Sequence, residues 1–161
     1  GLNKKVKMIS DGGIKFSGDI AKALAAGADA VMVGSMLAGT SEAPGKIIKK
    51  KGKLFKVFRG MGSVGAMNKG SADRYFQKKQ KDKSKYVPEG VEGLIKYKGD
   101  VSKTINKLVG GLRSSMGYLG AEQIKYLNKK AKFVKITKAG FYESMVHSID
   151  EVKKNSEYLW N

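Results

Sequence analysis

An α/β fold is predicted for this chain of 161 residues, because a helical pattern lies between two short, mainly apolar runs. Residues 6–9 and 30–33 form these runs and have the length of buried parallel strands. Between them, Ser17 can cap a helix that has Asp19 in its first turn and Gly27 after its last residue. The order strand, helix, strand predicts a parallel pair of strands.

Each predicted strand ends in a loop that allows close approach to the backbone. Asp11, Gly12 and Gly13 follow the first strand, and Gly34 and Ser35 follow the second. Because these strand ends lie side by side, their amides predict an anion site, for which phosphate is the common ligand. The Asp11 carboxylate can accept hydrogen bonds from a sugar diol. The alternative is that these glycines serve only tight turns.

Composition excludes several classes of function. Cysteine is absent, so disulfides, thiolate metal sites and a cysteine nucleophile are excluded within these residues. A single histidine, His147, excludes a multi-histidine zinc site and favours a structural role. No run approaches the roughly 20 apolar residues of a membrane span. No secretion signal is recognisable either, so no membrane partner is expected and the expected location is cytoplasmic.

The net charge of +18 raises the question of a nucleic-acid partner. Arginine, the preferred residue for bidentate contacts with phosphates and bases, occurs only at positions 59, 74 and 113. The lysines are spread along the chain, which favours a solvated basic surface. A basic nucleic-acid-binding protein is therefore the alternative from another class, and nucleic acid is not the expected partner.

A β-hairpin and a glycine-rich segment follow the second predicted strand. The hairpin strands are residues 46–49 and 54–59, joined by the turn Lys51-Gly52-Lys53. Residues 58–67 then contain Gly60, Gly62 and Gly65, which predict a backbone that wraps around a flat ligand, and Met61 and Met67 supply adaptable apolar contacts. A flexible linker is the alternative interpretation of this segment.

Residues 68–85 are polar and nearly without apolar periodicity, which predicts a mobile segment. Asp73, Arg74, Tyr75 and Phe76 lie within it, and an Arg-Tyr pair in a mobile loop suggests a lid over a site. An ordinary surface loop is the simpler alternative.

The remaining elements are predicted from periodicity and caps. Residues 87–98 have β character, and a helix capped by Asp100 or Ser102 follows, with Gly110-Gly111 allowing close packing at a helix crossing. A second helix is predicted over 121–131, with Ile124 and Leu127 directed inward. The last predicted strand is 133–137.

Several motifs occur together in one order along nearly the whole chain. They are ISDGGIKFSGDIAKALAAGADAVMVGSMLAGT, RGMGSVGAM, GSADRYFQ, VPEGVEG, YKG, GGLRSSMGYLGA and AGFYES. In this order they resemble the C-terminal part of the IMP dehydrogenase family. GMP reductase shares the barrel and the phosphate loops, but the sequence Asp73-Arg74-Tyr75 resembles the dehydrogenase.

The resemblance implies a (β/α)8 TIM barrel, of which residues 1–161 contain only the last two βα units. Residues 40–98 would be an inserted hairpin and mobile flap, and residues 140–161 a C-terminal tail. The earlier strands and the loop with the catalytic cysteine would precede Gly1. A quarter barrel leaves both sheet edges open, so we expect the chain to need the missing upstream part of the barrel and not to fold stably alone.

The resemblance also implies an activity and its residues. The family oxidises IMP to XMP with NAD, in guanine nucleotide biosynthesis. By this resemblance, Asp11 binds the ribose hydroxyls. The 5′-phosphate is bound by Gly12, Gly13, Gly34 and Ser35. The nucleotide is lined by Phe58, Arg59, Gly60, Met61 and Gly62, and its base also contacts Glu89. Arg74 with Tyr75 activates the hydrolytic water after the flap has entered the vacated nicotinamide site.

Three departures from the family pattern affect these assignments. Phe58 replaces a usual Tyr whose hydroxyl binds the phosphate, and Met145 stands where bacterial relatives often have His. The tail there supplies carbonyls to a potassium ion in a homotetramer, so Glu143, Ser144 and Met145 are the expected ligands. The third departure is the absent nucleophile. A GMP reductase-like protein or a non-catalytic nucleotide-binding remnant therefore stays as an alternative.

Overall fold

The computed structural model describes residues 6–76 and 87–145, apart from the side chain of Tyr75. Two compact units divide the chain, residues 1–130 and 131–161. The strands of the first unit are β1 (Ile9–Asp11), β2 (Ala30–Met32), β3 (Ile47–Lys50), β4 (Lys53–Arg59) and β5 (Glu92–Lys96). The helices of the two units are α1 (Ser17–Ala25), α2 (Val64–Ala66), α3 (Val101–Tyr118), α4 (Leu127–Lys130) and α5 (Lys138–Glu143).

Strands β1 and β2 are parallel, with Asp11 opposite Met32, and α1 connects them, as the sequence predicted. The first strand begins later than predicted, at Ile9. The Asp29 carboxylate accepts hydrogen bonds from the Met8 amide at 2.9 Å and from the Lys7 ammonium at 3.0 Å. These bonds tie residues 7 and 8 to the start of β2 before the ladder begins. Asp11, predicted in the loop, is the last residue of β1.

Helix α1 begins and ends where local chemistry directs it. Ser17 is its first residue rather than its cap, and the Asp19 carboxylate accepts hydrogen bonds from the amides of Lys15 at 3.0 Å and Phe16 at 2.9 Å. At the other end Gly27 has φ +110° and donates to the Leu24 carbonyl at 3.1 Å. This left-handed residue ends the helix as predicted.

The core of the first unit lies between α1 and α3. Its buried residues are Ile14, Ile20, Ala21, Leu24, Ala25, Leu108, Ala121 and Leu127. Gly111 of α3 lies so close to Ser17 of α1 that an added methyl group would overlap the serine side chain. The predicted close helix crossing is therefore confirmed, as is the cap of α3, where Asp100 accepts a hydrogen bond from the Ser102 amide at 2.7 Å.

The predicted hairpin is confirmed and extended. Strand β4 pairs antiparallel with β3 and with β5, so the sheet order is β3-β4-β5. Arg59 at the end of β4 lies opposite Glu92 at the start of β5. This register brings the glycine-rich segment after β4 next to the residues that precede β5.

The first part of the polar segment predicted to be mobile is instead helical. Helix α2 continues into a π-helical turn, Met67–Ser71, and a 3-10 turn, Ala72–Tyr75. Met67 and Ala72 are buried and pack with Val64 as a small separate core. The sequence analysis did not predict these turns, because only two apolar residues are buried in them and two residues give no periodic pattern. Residues 77–85 of the prediction lie outside the described residues.

Two predictions near the C-terminus are wrong in part. In place of one helix over 121–131, a 3-10 turn at Ile124–Tyr126 leads into α4, with Ile124 exposed and Leu127 buried. Residues 133–137 form no strand in the described part of the second unit, where no neighbouring strand offers a ladder. Thr137 instead caps α5 by accepting a hydrogen bond from the Gly140 amide at 3.1 Å. Among the described helices, none is both long enough and apolar enough to cross a bilayer.

Candidate functional site

The loops after β1 and β2 leave the same edge of the parallel pair. Because Asp11 lies opposite Met32, the residues that follow each strand begin side by side. We call the group Asp11, Gly12, Gly13, Gly34 and Ser35 the phosphate edge; all five residues are exposed. The structure therefore brings together the residues that the sequence singled out for an anion.

The backbone of the phosphate edge has donors to offer. Gly12 and Gly13 have φ +86° and +78°, a conformation that suits glycine. The Gly34 carbonyl accepts hydrogen bonds from the amides of two residues further along the turn. The amides of Gly13, Gly34 and Ser35 themselves donate to no acceptor within residues 6–76 and 87–145. Successive amides of this kind form a concave donor surface for an anion.

The phosphate edge also has room. A Cβ atom added at Gly12, Gly13 or Gly34 would meet no atom of the described chain within 4 Å. These glycines are therefore not required by internal packing. Gly34 has no positive φ, so an alanine there would be free of both strain and overlap.

The segment Phe58–Gly62, which we call the nucleotide loop, is built differently. Its Gly60 amide donates to the Val91 carbonyl at 2.9 Å, and its Gly62 carbonyl accepts the amides of Glu89 and Gly90, each at 2.9 Å. The predicted base-contacting residue Glu89 thus lies against the predicted base-lining residue Gly62.

Glu92 holds this loop to the helix that follows it. Its carboxylate accepts a hydrogen bond from the Gly65 amide at 2.7 Å and lies 3.6 Å from the Arg59 guanidinium. Ser63 adds a cap to α2, accepting a hydrogen bond from the Ala66 amide at 3.2 Å. Sequence reasoning missed both residues. The acidic residue in the sequence GVEG and the serine before α2 were the available signals.

A cavity of about 730 Å³ lies beside the nucleotide loop. Arg74 lines it together with Phe58, Arg59 and Met61, so the structure brings the predicted water-activating arginine next to the predicted nucleotide loop. Lys46 and Lys69 add further positive charge, and the remaining lining is mostly apolar. No residue of the phosphate edge lines this cavity.

The remaining predicted site residues are Tyr75 and the three expected potassium ligands. Only the backbone of Tyr75 is described, in the 3-10 turn. Glu143 ends α5, and Ser144 and Met145 follow it in the second unit. Within the described residues, no three His, Cys, Asp or Glu side chains form a group that could hold a metal ion.

Carboxylates with shifted pKa values support the scaffold of the phosphate edge. The amide of Met8 and then the ammonium of Lys7 lower the pKa of Asp29, which ties β1 to β2. Burial works to raise the pKa of Asp19. Hydrogen bonds from Lys15, Lys22 and Phe16 outweigh it, so the pKa of this carboxyl group is lowered.

Parallel strands with a glycine-rich, donor-bearing edge define an α/β protein suited to bind an anionic ligand. Comparison with known proteins identifies the family, because the family model described as "IMP dehydrogenase / GMP reductase domain" matches residues 2–147. The chain belongs to this family, whose members are TIM barrels, and its described residues form mixed α/β structure.

Proteins named inosine-5′-monophosphate dehydrogenase are similar to the chain over most of its length. The identity is 56% with the Bacillus subtilis protein, covering 94% of this chain and 30% of that protein. It is 55% with the Escherichia coli protein, covering 95% and 31%, and 54% with that of Cryptosporidium parvum, covering 95% and 38%. The chain thus spans about a third of the length of these relatives.

Proposed function

We propose that this chain is the phosphate-binding and flap part of an IMP dehydrogenase, which oxidises IMP to XMP with NAD in guanine nucleotide biosynthesis. The main support is the meeting of two glycine-rich strand ends at one edge, in a chain 55–56% identical to proteins named for this activity. Because the chain spans about a third of those relatives, the reaction needs residues beyond the ones described.

In this proposal, the phosphate edge binds the 5′-phosphate and the ribose. The amides of Gly12, Gly13, Gly34 and Ser35 donate hydrogen bonds to the phosphate oxygens, and Asp11 accepts hydrogen bonds from the sugar hydroxyls. The amides of Gly13, Gly34 and Ser35, which have no acceptor in the part of the chain that the structure describes, support the assignment. The open space beside three of these glycines supports it as well. A dianion gains from several N–H dipoles that converge on it.

The nucleotide loop lines the rest of IMP, with Met61 and Gly62 near the purine and Glu89 beside it. The hydrogen bond between the Glu89 amide and the Gly62 carbonyl supports their joint role. Phe58 has no hydroxyl for the phosphate, so we expect weaker IMP binding than a tyrosine would give. Loss of one hydrogen bond to a charged group costs about 1.5–3 kcal/mol.

Arg74 and Tyr75 activate water in the second half of the reaction. NAD, when bound, would supply the acceptor for the hydride that leaves C2 of the purine, and the cysteine that adds to C2 would come from outside this chain. Hydroxide derived from the activated water adds to C2, and the thiolate leaves to release XMP. An ordinary guanidinium keeps its own protons, so the proton of the water passes to a minor neutral form of Arg74 or is relayed through Tyr75. Cationic and apolar side chains around the cavity beside Arg74 suit a dinucleotide.

Potassium is the proposed metal ion, held by the carbonyls of Glu143, Ser144 and Met145 in a cytoplasmic homotetramer. Glu143 is the last residue of α5, and Ser144 and Met145 follow it directly, so the three proposed carbonyls are consecutive along the chain. Carbonyl oxygens are suitable ligands for a hard cation, and they tolerate the change of His to Met at position 145 because the side chain is not the ligand.

The proposed partial barrel explains the surface of the β1–β2 pair. Both outer edges of this pair are unpaired within the described residues, and Ile9 and Met32 are 58% and 50% exposed. A two-stranded sheet is marginal by itself. We therefore propose that strands from the upstream part of the barrel pair with these edges and cover these side chains.

The test is NADH formation from IMP by protein in which this chain is joined to the upstream residues. Gly34→Ala is expected to raise the KM for IMP at least about tenfold, or 1.4 kcal/mol, because the methyl group occupies the space of the phosphate. Gly117→Ala is the matched control, since that exposed glycine of α3 also has open space and no positive φ. The control is expected to keep the wild-type KM.

Other outcomes distinguish the alternatives. Oxidation of NADPH with GMP and no reaction of IMP would identify a reductase, which the family description also includes. Binding of IMP without turnover would identify a non-catalytic remnant. Binding of nucleic acid with a steep salt dependence and no response to IMP would overturn the proposal in favour of a basic binding protein.

A further inference from the structure

Lys56 is a buried lysine that pairs with no carboxylate of residues 6–76 and 87–145. It lies in the middle of β4, within the apolar sequence LFKVF, and its side chain is 2% exposed. The ammonium donates to the carbonyls of Thr40 at 2.7 Å and Ser41 at 3.0 Å, and also to the carbonyl of Ala43. Its three N–H donors therefore match three backbone acceptors, which a buried ammonium requires.

The carbonyls that surround Lys56 belong to the segment after the phosphate edge. Thr40 donates to the Leu37 carbonyl through its amide at 3.0 Å and its hydroxyl at 2.8 Å, and the Leu37 amide donates to the Gly34 carbonyl at 3.0 Å. Hydrogen bonds thus lead from Lys56 through Thr40 and Leu37 to Gly34.

Lys56 is also close to the nucleotide loop along the chain. Phe58 follows it by two residues in the same strand, and alternate residues of a strand share a face. The main chain of β4 is rigidly paired on both sides, with β3 and with β5. A shift of the Lys56 ammonium relative to residues 40–43 would therefore change the spacing between Gly34 and Phe58.

We propose that Lys56 is a positioning residue that sets the spacing between the phosphate edge and the nucleotide loop, so that both contact one nucleotide. This role rests on the proposed function, because it assumes that both segments bind IMP. Lys56 touches neither the substrate nor the reacting atoms in this role. Its contribution is the cage of backbone carbonyls that its ammonium holds together.

Kinetics of Lys56→Met in the protein completed by its upstream residues provide the test. Methionine keeps the apolar stem and removes the donors. We expect the KM for IMP to rise at least about tenfold, while kcat changes less than about threefold, because flap chemistry is not directly touched. Lys49→Met on β3 is the matched control, since Lys49 is an exposed lysine of the same hairpin, and it should keep the wild-type KM.

Chemical rescue separates positioning from overall stability. In Lys56→Ala, n-propylammonium replaces the missing atoms and its three N–H donors, and it should restore the KM for IMP. Tetramethylammonium at the same ionic strength has no N–H donor and should not. If Lys56→Met does not fold, rescue of both folding and KM in Lys56→Ala by the amine still supports the proposal.

Several results would overturn the role of Lys56. One is a folded Lys56→Met or Lys56→Ala protein with a KM for IMP within about twofold of wild type. Another is failure of the amine to restore the KM, or failure of both variants to fold with the amine present, since Lys56 would then serve overall stability alone. Absence of IMP turnover and IMP binding in the wild-type protein would instead refute the proposed function. The assay of the wild-type protein, made beside the variants, detects that outcome separately.

Discussion

The phosphate edge and the nucleotide loop are both rich in glycine, yet they use their backbones in opposite ways. At the phosphate edge the amides of Gly34 and Ser35 have no acceptor in the described residues, and an added methyl at Gly34 would meet nothing. At the nucleotide loop the Gly60 amide and the Gly62 carbonyl form hydrogen bonds with residues 89–91, which precede β5. A glycine-rich sequence can therefore expose donors to a ligand or bury them in the fold.

This difference distinguishes two reasons why glycine occurs in these segments. In the nucleotide loop and its neighbours, glycine allows segments of this chain to approach one another. At the phosphate edge, nothing in the described chain occupies the space beside the glycines, so this space suits an external ligand. Gly60 and Gly65 contact residues 90–92 of this chain, so internal packing accounts for these two glycines, and the lining of a ligand by the loop stays a prediction.

The largest expected effect concerns the chain when it is expressed alone. We expect it to lack a cooperative unfolding transition by circular dichroism, because no other described strand pairs with the outer edges of β1 and β2, and their apolar side chains are exposed. In hydrogen exchange, amides of β1 and β2 should exchange faster than those of β4, which is paired on both sides. A cooperative monomer with β1 well protected would contradict the need for the upstream part of the barrel.

Phe58→Tyr tests whether the nucleotide loop contributes through side chains rather than free amides. In the completed protein, the new hydroxyl should donate to the phosphate and lower the KM for IMP, with a gain of up to about 1.5–3 kcal/mol. Phe55→Tyr, in the same strand but outside the proposed site, serves as control. An unchanged KM in Phe58→Tyr would place the phosphate out of reach of this side chain.

Gly90→Ala and Gly34→Ala apply one substitution to the two regions. A Cβ at Gly90 would lie 2.9 Å from the Ser63 amide nitrogen and 3.0 Å from the Gly62 carbonyl carbon. We expect this overpacking to lower the free energy of unfolding by about 1–3 kcal/mol. Gly34→Ala should change it by less than about 0.5 kcal/mol. Urea denaturation of the two completed variants provides the comparison, and equal destabilisation would remove the distinction.

The smallest expected effect is at the start of α1, below the phosphate edge. Asp19→Asn removes a carboxylate that stabilises the first turn, at a cost of about 0.5–1 kcal/mol near neutral pH. Since the pKa of Asp19 is lowered by folding, its stabilisation is present above the ordinary aspartate pKa and is lost as pH falls through the folded value. Melting temperatures of wild type and variant should therefore converge in acid. A constant difference would exclude the charge as the cause.

Much of the fold could be predicted from local patterns. The strand-helix-strand unit, the hairpin, the stop at Gly27 and the cap at Asp100 depend on residues a few positions apart, and all four are confirmed. The strand predicted at 133–137 is wrong because a strand needs a partner, and apolar composition does not supply one. The helical turns after α2 were missed because their burial depends on Met67 and Ala72 alone.

The site was predictable in its residues but not in its connections. The motifs singled out the phosphate edge, the nucleotide loop and Arg74, and the family match covers them all. Their roles toward IMP stay predictions. The contacts of Glu92 with Gly65 and Arg59 join residues distant in sequence, so no local pattern could indicate them.

The sequence by itself determined the family, the end of α1 at Gly27, the cap of α3 at Asp100 and the presence of two glycine-rich segments, because these follow from residue identity and short-range spacing. Only the tertiary structure decided which glycine amides find no acceptor among the described residues and that Lys56 is buried among carbonyls. The physical reason is that a hydrogen-bond partner and a buried environment are supplied by residues far along the chain.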